Sequence, residues 1–367
     1  MPKLSIPYDI LTPVKLNFEE DFEVKEVSRF SKTQNKIIID DSELYTFQIP
    51  EAKNNACPYG LNTALGHHGY KPKVFGRAES TIGDFITALL QINETQNGTS
   101  HVPGGDYDVN LRKFEVFAPS AFFQYVAAQK MSTFYIINVN NRIVIANAER
   151  RELQDVKMSY VGIRFEDLLH HGTHFKTVNN LSFYDSIIET KVAGMNCLFF
   201  AEVDSKDPQS GDYTEIKMIL CKGSIPNHRM TNKREILRML ANGNNYFSDF
   251  LLRLLVQCKL SLEKKVLIGI RDASFNIRNI TLFSVDEDLI PFFKSRYVED
   301  YKIYTHSLDS IDRVLKEIKI RCTPGAPVLK LKVGYHCTLE TVDESSERVR
   351  ILQTVLTEEF YKLLKEL

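Results

Sequence analysis

Apolar residues recur along this chain with two different periods. In Ser80–Ile92 (STIGDFITALLQI) they return every three to four positions behind a Ser or Thr cap, which predicts an amphipathic helix. Similar spacing predicts helices over Tyr160–His171, Arg234–Leu240, Tyr246–Leu260 and Arg348–Leu364, with Asn242-Gly243 interrupting the middle pair. β-Branched and aromatic runs predict strands over Cys197–Asp204, Tyr213–Leu220, Val266–Arg271, Ile277–Phe283 and Val328–Val333. Thr133–Asn147 reads as a hairpin folded about Asn140-Asn141. Lys113–Val126 is aromatic and fits either state. Glu94–Asp108, rich in Gly, Asn, Thr and Pro, reads as a surface loop, and SKDPQSGD between two strands reads as a turn. The composition is alike on both sides of the long loop, so residues 1–367 are expected to form a single domain with its motif core at about 160–271. Strands mixed with helices, without regular βαβ alternation, predict an α+β or mixed-sheet α/β enzyme.

Composition removes several classes. No run approaches the ~20 apolar residues needed to span a bilayer. The first residues mix charges and prolines and do not read as a signal peptide. Six cysteines (57, 197, 221, 258, 322 and 337) carry no CxxC pair, which predicts reduced thiols in a cytoplasmic or nuclear protein that is not secreted. The sequons at Asn93, Asn97, Asn180 and Asn279 are then chance matches. His170, His171 and His174 lack an HExxH pattern, and Gly104-Gly105 lacks the lysine of a phosphate loop, so neither predicts a site. The net charge of -1 argues against indiscriminate nucleic-acid binding.

The informative residues lie on the two strands of Cys197–Leu220. Strand side chains alternate, so Glu202 and Asp204 share a face, as do Glu215 and Lys217. If the strands pair as a hairpin, all four converge at one sheet end. Three carboxylates beside a lysine repel one another and resist desolvation, a cost that a divalent cation removes. An all-oxygen set points to Mg²⁺ or Mn²⁺. The order Asp, turn, Glu-x-Lys resembles the PD-(D/E)xK nuclease core, which places one ion between Asp204, Glu215 and the backbone carbonyl of Ile216. Glu166, on the preceding helix, adds a fourth carboxylate and room for a second ion. Gln257 stands in an otherwise apolar helix, LLRLLVQCKL, suited to hydrogen-bond a phosphate or a water. Each pair alone is common as a solvent-facing strand charge; the ordered set carries the reading.

Gly162-Ile163-Arg164-Phe165-Glu166, Glu202-Val203-Asp204, Glu215-Ile216-Lys217, Val256-Gln257 and Gly269-Ile270-Arg271 together resemble the motifs of the DXO family of RNA decapping exoribonucleases. The likeness runs from about Phe30 to about Pro327. It implies two twisted mixed sheets flanked by helices. It also implies metal-dependent removal of incomplete or non-canonical caps (GpppN, NAD) and 5′–3′ digestion of single-stranded RNA. By this resemblance Glu166, Asp204, Glu215 and the Ile216 carbonyl bind metal, and Glu202 binds it directly or through water. Lys217 and Gln257 would contact the scissile phosphate or the nucleophilic water, and Arg271 would contact substrate. A 5′–3′ exoribonuclease is the implied protein partner. Ala118 stands where the family has an arginine, with Arg112 the neighbour able to substitute. A catalytically weakened or inactive RNA 5′-end binder is the competing reading. Between Lys217 and Arg271 there are eleven Lys or Arg and three Asp or Glu, so positive charge is gathered beside the carboxylates despite the neutral total.

Overall fold

The structure, a computed structural model, describes residues 4–7, 15–33, 36–49, 58–70, 78–96, 109–147, 156–172, 178, 182–222, 225–342, 356 and 358–366. The strands are β1 (Leu4–Pro7), β2 (Val24–Lys32), β3 (Ile37–Ile38), β4 (Val116–Pro119), β5 (Ser132–Val139), β6 (Arg142–Asn147) and β7 (Phe183–Val192). They continue as β8 (Met195–Glu202), β9 (Ser205–Lys206), β10 (Tyr213–Leu220), β11 (Lys265–Arg271), β12 (Ile277–Ser284), β13 (Leu329–Val333) and β14 (His336–Thr341). The helices are α1 (Phe18–Asp21), α2 (Ala78–Gln96), α3 (Ser120–Ala127), α4 (Val156–His171) and α5 (Lys233–Gly243). After them come α6 (Phe247–Ser261), α7 (Ile290–Arg296), α8 (Val298–Thr305), α9 (Ser307–Arg321) and α10 (Glu358–Glu366).

Among the described residues the strands form a ten-stranded sheet, β1-β14-β13-β5-β6-β4-β8-β7-β2-β3, and a four-stranded sheet, β12-β11-β10-β9. Both are mixed: β4 runs parallel to β6 and β8, and β10 runs parallel to β11. The result is a single mixed α/β domain, as the pattern predicts. The β5–β6 hairpin turns on Asn140 and Asn141, whose φ values of 50° and 65° suit a residue that tolerates the left-handed region. Lys113–Val126 takes both states: β4 ends at Pro119, and α3 begins at the next residue.

The hairpin expected of the two motif strands does not form. β8 lies in the large sheet between β4 and β7, whereas β10 belongs to the small one. The chain changes sheets between Glu202 and Ser205, and the partner of β10 is the two-residue β9, with Ser205 opposite Thr214. The predicted turn does form: Asp207 N–H donates to Asp212 O, and Gly211 N–H donates to Asp207 O. β8 is paired on both edges and almost wholly buried, so its apolar run is satisfied inside the large sheet. β7 and the helices α7–α9 were not predicted. Buried Asp185, Ser186 and Thr190 blur the strand pattern of β7, and α7 follows a π-helical turn at Val285–Leu289. Residues 97–108 of the expected loop, the start of the C-terminal helix, Cys57 and His174 lie outside the described residues.

Packing of β10 on both faces sets the site. Ile216 joins Phe165, Leu168 and Leu267 beneath α4. Ile219 faces the other way, into the main core with Leu254, Leu255 and Ile268. The small sheet is therefore sandwiched between α4 and α6.

Candidate active site

The carboxylates meet where the chain leaves the large sheet and enters the small one. Continuing the β9–β10 ladder by one residue sets Asp204 against Glu215. Asp204 is held there because its Oδ2 accepts the Ile216 N–H at 2.9 Å. Glu215 is wholly buried, and neither of its carboxylate oxygens has a hydrogen-bond partner. The Lys217 ammonium pairs with Glu215 and lies 3.7 Å from Asp204 Oδ2. Burial would depress the Lys217 pKa, but Asp204, Glu166 and Glu263 outweigh it and hold the ammonium protonated.

Glu166 comes in from α4. Burial raises its pKa well above the carboxylate range; Asp204 and Glu202 raise it further and Lys217 opposes them. Glu202 is solvent-exposed at the end of β8, so of the expected set it is the outermost. Gln257, on α6, is partly buried, and its Oε1 accepts from Gln124 Nε2 at 3.3 Å. Lys217, Gln257 and Gln124 line one groove, a cavity of about 280 Å³.

Two participants escape the sequence reading. One is Gln124 of α3, which reads as the polar side of a core helix. The other is Glu263, 3% exposed beyond the end of α6, with both oxygens lacking a hydrogen-bond partner. Burial and Asp204 raise its pKa well above the usual range. In the sequence it sits in Leu262-Glu263-Lys264-Lys265, where it looks like a surface charge. Glu263 and Cys258 line a separate cavity of about 740 Å³, which does not include Lys217 or Gln257 in its walls.

Arg271 lies three residues past Lys217 in strand register, opposite Leu220. It is 3% exposed, contacts Met158 Sδ at 3.3 Å and lies over the Phe275 ring at 4.4 Å. The structure thus places it away from the carboxylates, with only its edge in a second groove. Ala118 is fully buried in the main core, so its position offers no side chain to the groove. Arg112 lies on the exposed turn before β4.

Among the described residues, no three His, Cys, Asp or Glu side chains already converge as a finished metal cage. The Lys217 ammonium stands between Asp204 and Glu215 instead. The donor set nonetheless fits a divalent cation. A wholly buried carboxylate whose charge is met by the Lys217 ammonium, beside a second carboxylate and a third whose pKa is raised by burial and by its acidic neighbours, is an excess of oxygen donors that positive charge relieves. Asp204, Glu215 and Glu166 could hold such an ion.

An acidic residue joined by backbone to a Glu-x-Lys strand, at the edge of a mixed sheet flanked by helices, defines a nuclease of the PD-(D/E)xK class. The RAI1-like PD-(D/E)XK nuclease family model matches residues 23–361, and the chain belongs to this family. Among curated proteins, none matches the chain. The fold is similar to that of Candida albicans Rai1 in complex with pU5 and Mn²⁺ (TM-score 0.73, 16% identity, covering 100% of each chain). It is also similar to Scheffersomyces stipitis Rai1 in complex with 3′-NADP⁺ and calcium (TM-score 0.71, 16% identity, 100% of this chain and 99% of that one). A third similar structure is K. lactis Dxo1 in complex with manganese (TM-score 0.61, 15% identity, 94% and 99%).

Proposed function

We propose that this protein is a divalent-metal-dependent hydrolase of RNA 5′ ends. It removes incomplete or non-canonical caps such as GpppN and NAD, and digests the exposed RNA from 5′ to 3′. The observation that carries this reading is the wholly buried Glu215 carboxylate, set beside Asp204 and paired with Lys217. The family membership, and the pU5, Mn²⁺ and 3′-NADP⁺ bound by the related proteins, support it.

In this reading Asp204, Glu215, the Ile216 carbonyl and Glu166 hold one or two Mg²⁺ or Mn²⁺ ions, with Glu202 contributing directly or through water. The bound ion supplies a water of lowered pKa and positive charge at the scissile phosphate. The chain's own residues do the rest. Lys217, kept protonated by its carboxylate neighbours, leaves Glu215 and donates to a phosphate oxygen. Gln257 hydrogen-bonds the phosphate or the attacking water, its amide oriented by Gln124. Arg271 is assigned to outer substrate contacts. The protein acts in the cytoplasm or nucleus on single-stranded RNA, with a 5′–3′ exoribonuclease as its partner.

The test is turnover of GpppN-, NAD- and monophosphate-ended RNAs with Mn²⁺ or Mg²⁺, with product identification. Release of GpppN, NAD or nucleotides that disappears in EDTA and in Asp204→Ala supports the assignment. Binding without turnover across the panel would leave the adaptor reading in its place.

A further inference from the structure

The groove over Lys217 and Gln257 does not end there. A second cavity, about 690 Å³, lies beside it and shares two wall residues with it, Phe250 and Arg253. β10 runs beneath both, from Lys217 in the first to Met218, Ile219 and Leu220 in the second. Among the described residues no Asp or Glu lines either cavity, while Lys130, Arg253, Lys222 and Arg271 do. A trough of one sign over this length concentrates polyanions.

Arg253 stands at the junction. It lies one turn before Gln257 on α6, so the two side chains share a face and are separated by about 6 Å of helix rise, of the order of one nucleotide step. Its side chain is 51% exposed and pairs with Asp249, through Nη2 at 3.3 Å and from Nε to the Asp249 backbone carbonyl at 3.4 Å. Asp249 also pairs with Lys130, so this one carboxylate holds two cations of the trough in place. Tyr246, the residue before α6, also lines the second cavity and is 78% exposed. The wall there depends on Gly243, where a Cβ would collide with the Lys222 carbonyl. A row of cations, an aromatic shelf and an exposed tyrosine is the chemistry of a single-stranded nucleic-acid track.

We propose that Arg253 binds the phosphodiester downstream of the reacting one, and that Tyr246 stacks against a base farther along, so that the protein measures RNA beyond its 5′ end. This rests on the reading of Lys217 and Gln257 as the reacting end. It adds that the trough gives affinity increasing with chain length.

The probes are 5′-phosphorylated oligouridylates of two and six nucleotides, titrated by fluorescence anisotropy in EDTA at several salt concentrations. Without metal no turnover occurs, so binding is read independently of the proposed activity. The wild type should bind the hexamer more tightly than the dimer. Arg253→Gln should weaken hexamer binding about tenfold, erase most of the length advantage, and flatten the log K against log salt slope by about 0.7. Arg253→Lys should keep the slope. Tyr246→Ala should also weaken the hexamer about tenfold but leave the slope intact, because stacking releases no counterion. Asp249→Asn breaks the same ion pair yet frees the guanidinium, so it should hold or strengthen binding. Thermal melts of each variant confirm folding. An Arg253→Gln protein with wild-type hexamer affinity and salt slope overturns the proposal. So does an equal loss in Asp249→Asn, which would assign the effect to the helix and not to the cation. A protein that shows the length effect but no Mn²⁺-dependent turnover would retain the track and lose the hydrolase reading.

Discussion

The Phe165 ring occupies the space that a Cβ on Gly269 would fill. β11 bears no side chain at that point, so α4 settles directly on the small sheet. Glu166, the next residue, is thereby carried to Asp204 and Lys217. The glycine of Gly269-Ile270-Arg271 is thus a packing requirement for a carboxylate on another element. Gly269→Ala should destabilise the fold by about 1–3 kcal/mol through overpacking, read from urea or thermal unfolding. Phe165→Leu in the same protein should recover part of the loss, since the two residues share one volume. Additive losses would show that they do not.

Removing a metal donor should separate stability from binding. If Asp204 and Glu215 hold the ion, Mn²⁺ at a hundredfold excess over its Kd stabilises the wild type by about 2.7 kcal/mol. Asp204→Asn and Glu215→Gln should lose that metal-dependent rise in Tm along with activity. Glu166→Gln, which relieves repulsion with Asp204, should hold or raise the metal-free Tm while weakening the Mn²⁺ shift. A full Mn²⁺ shift in Asp204→Asn would remove Asp204 from the ligand set.

His170 makes stability depend on pH. Its Nε2 lies 3.2 Å from Ser205 Oγ, and its ring packs against Tyr45. Burial pushes its pKa down to about 4, Asp204 opposing and His171 assisting. The unfolded chain takes up this proton first, near pH 6.5. The contribution is therefore complete above about pH 6.5 and drains as pH falls toward 4, by about 1–3 kcal/mol after allowance for solvent screening. In EDTA, the unfolding free energy of His170→Gln should fall less over that window than that of the wild type. Parallel curves would rule the histidine out.

Gln124 should matter only through Gln257. Gln124→Ala removes one neutral hydrogen bond, worth about 0.5–1.5 kcal/mol, and frees the Gln257 amide to rotate. Turnover should drop about two- to tenfold in kcat with little change in KM. In a Gln257→Ala background the same change should have almost no effect. Independent losses would make Gln124 a contact in its own right.

Much of the small sheet could be read from local pattern. Val266–Arg271 and Ile277–Phe283 are apolar enough to mark strands by themselves, and Asn140-Asn141 marks its hairpin, because turn chemistry and side-chain period act over a few residues. The spacing Glu202-x-Asp204 and Glu215-x-Lys217 also makes the site visible, since a strand shows alternate residues to one side whatever it pairs with. The same period says nothing about the partner strand. Pairing β8 with β10 is the shortest connection, but β8 is apolar on nearly every residue and finds partners on both edges in the large sheet. Asp204 therefore reaches Glu215 across the sheet change, as the residue before β9. Glu263 and Gln124 remained hidden because their signal is not composition but burial: one is a charge among lysines, the other a polar residue in a helix.

From residue order alone, then, come the chemical identity of the carboxylate, lysine and glutamine set, the helix and strand periods around it, and the gathering of positive charge between Lys217 and Arg271. Those follow from side-chain type and from periods of two and 3.6, which any local segment displays. Which sheet each strand joins, which glycine admits Phe165, and which buried carboxyl faces Lys217 come from long-range packing. Burial changes what a carboxylate can do, and burial is a property of neighbours distant in the chain, so no local pattern contains it.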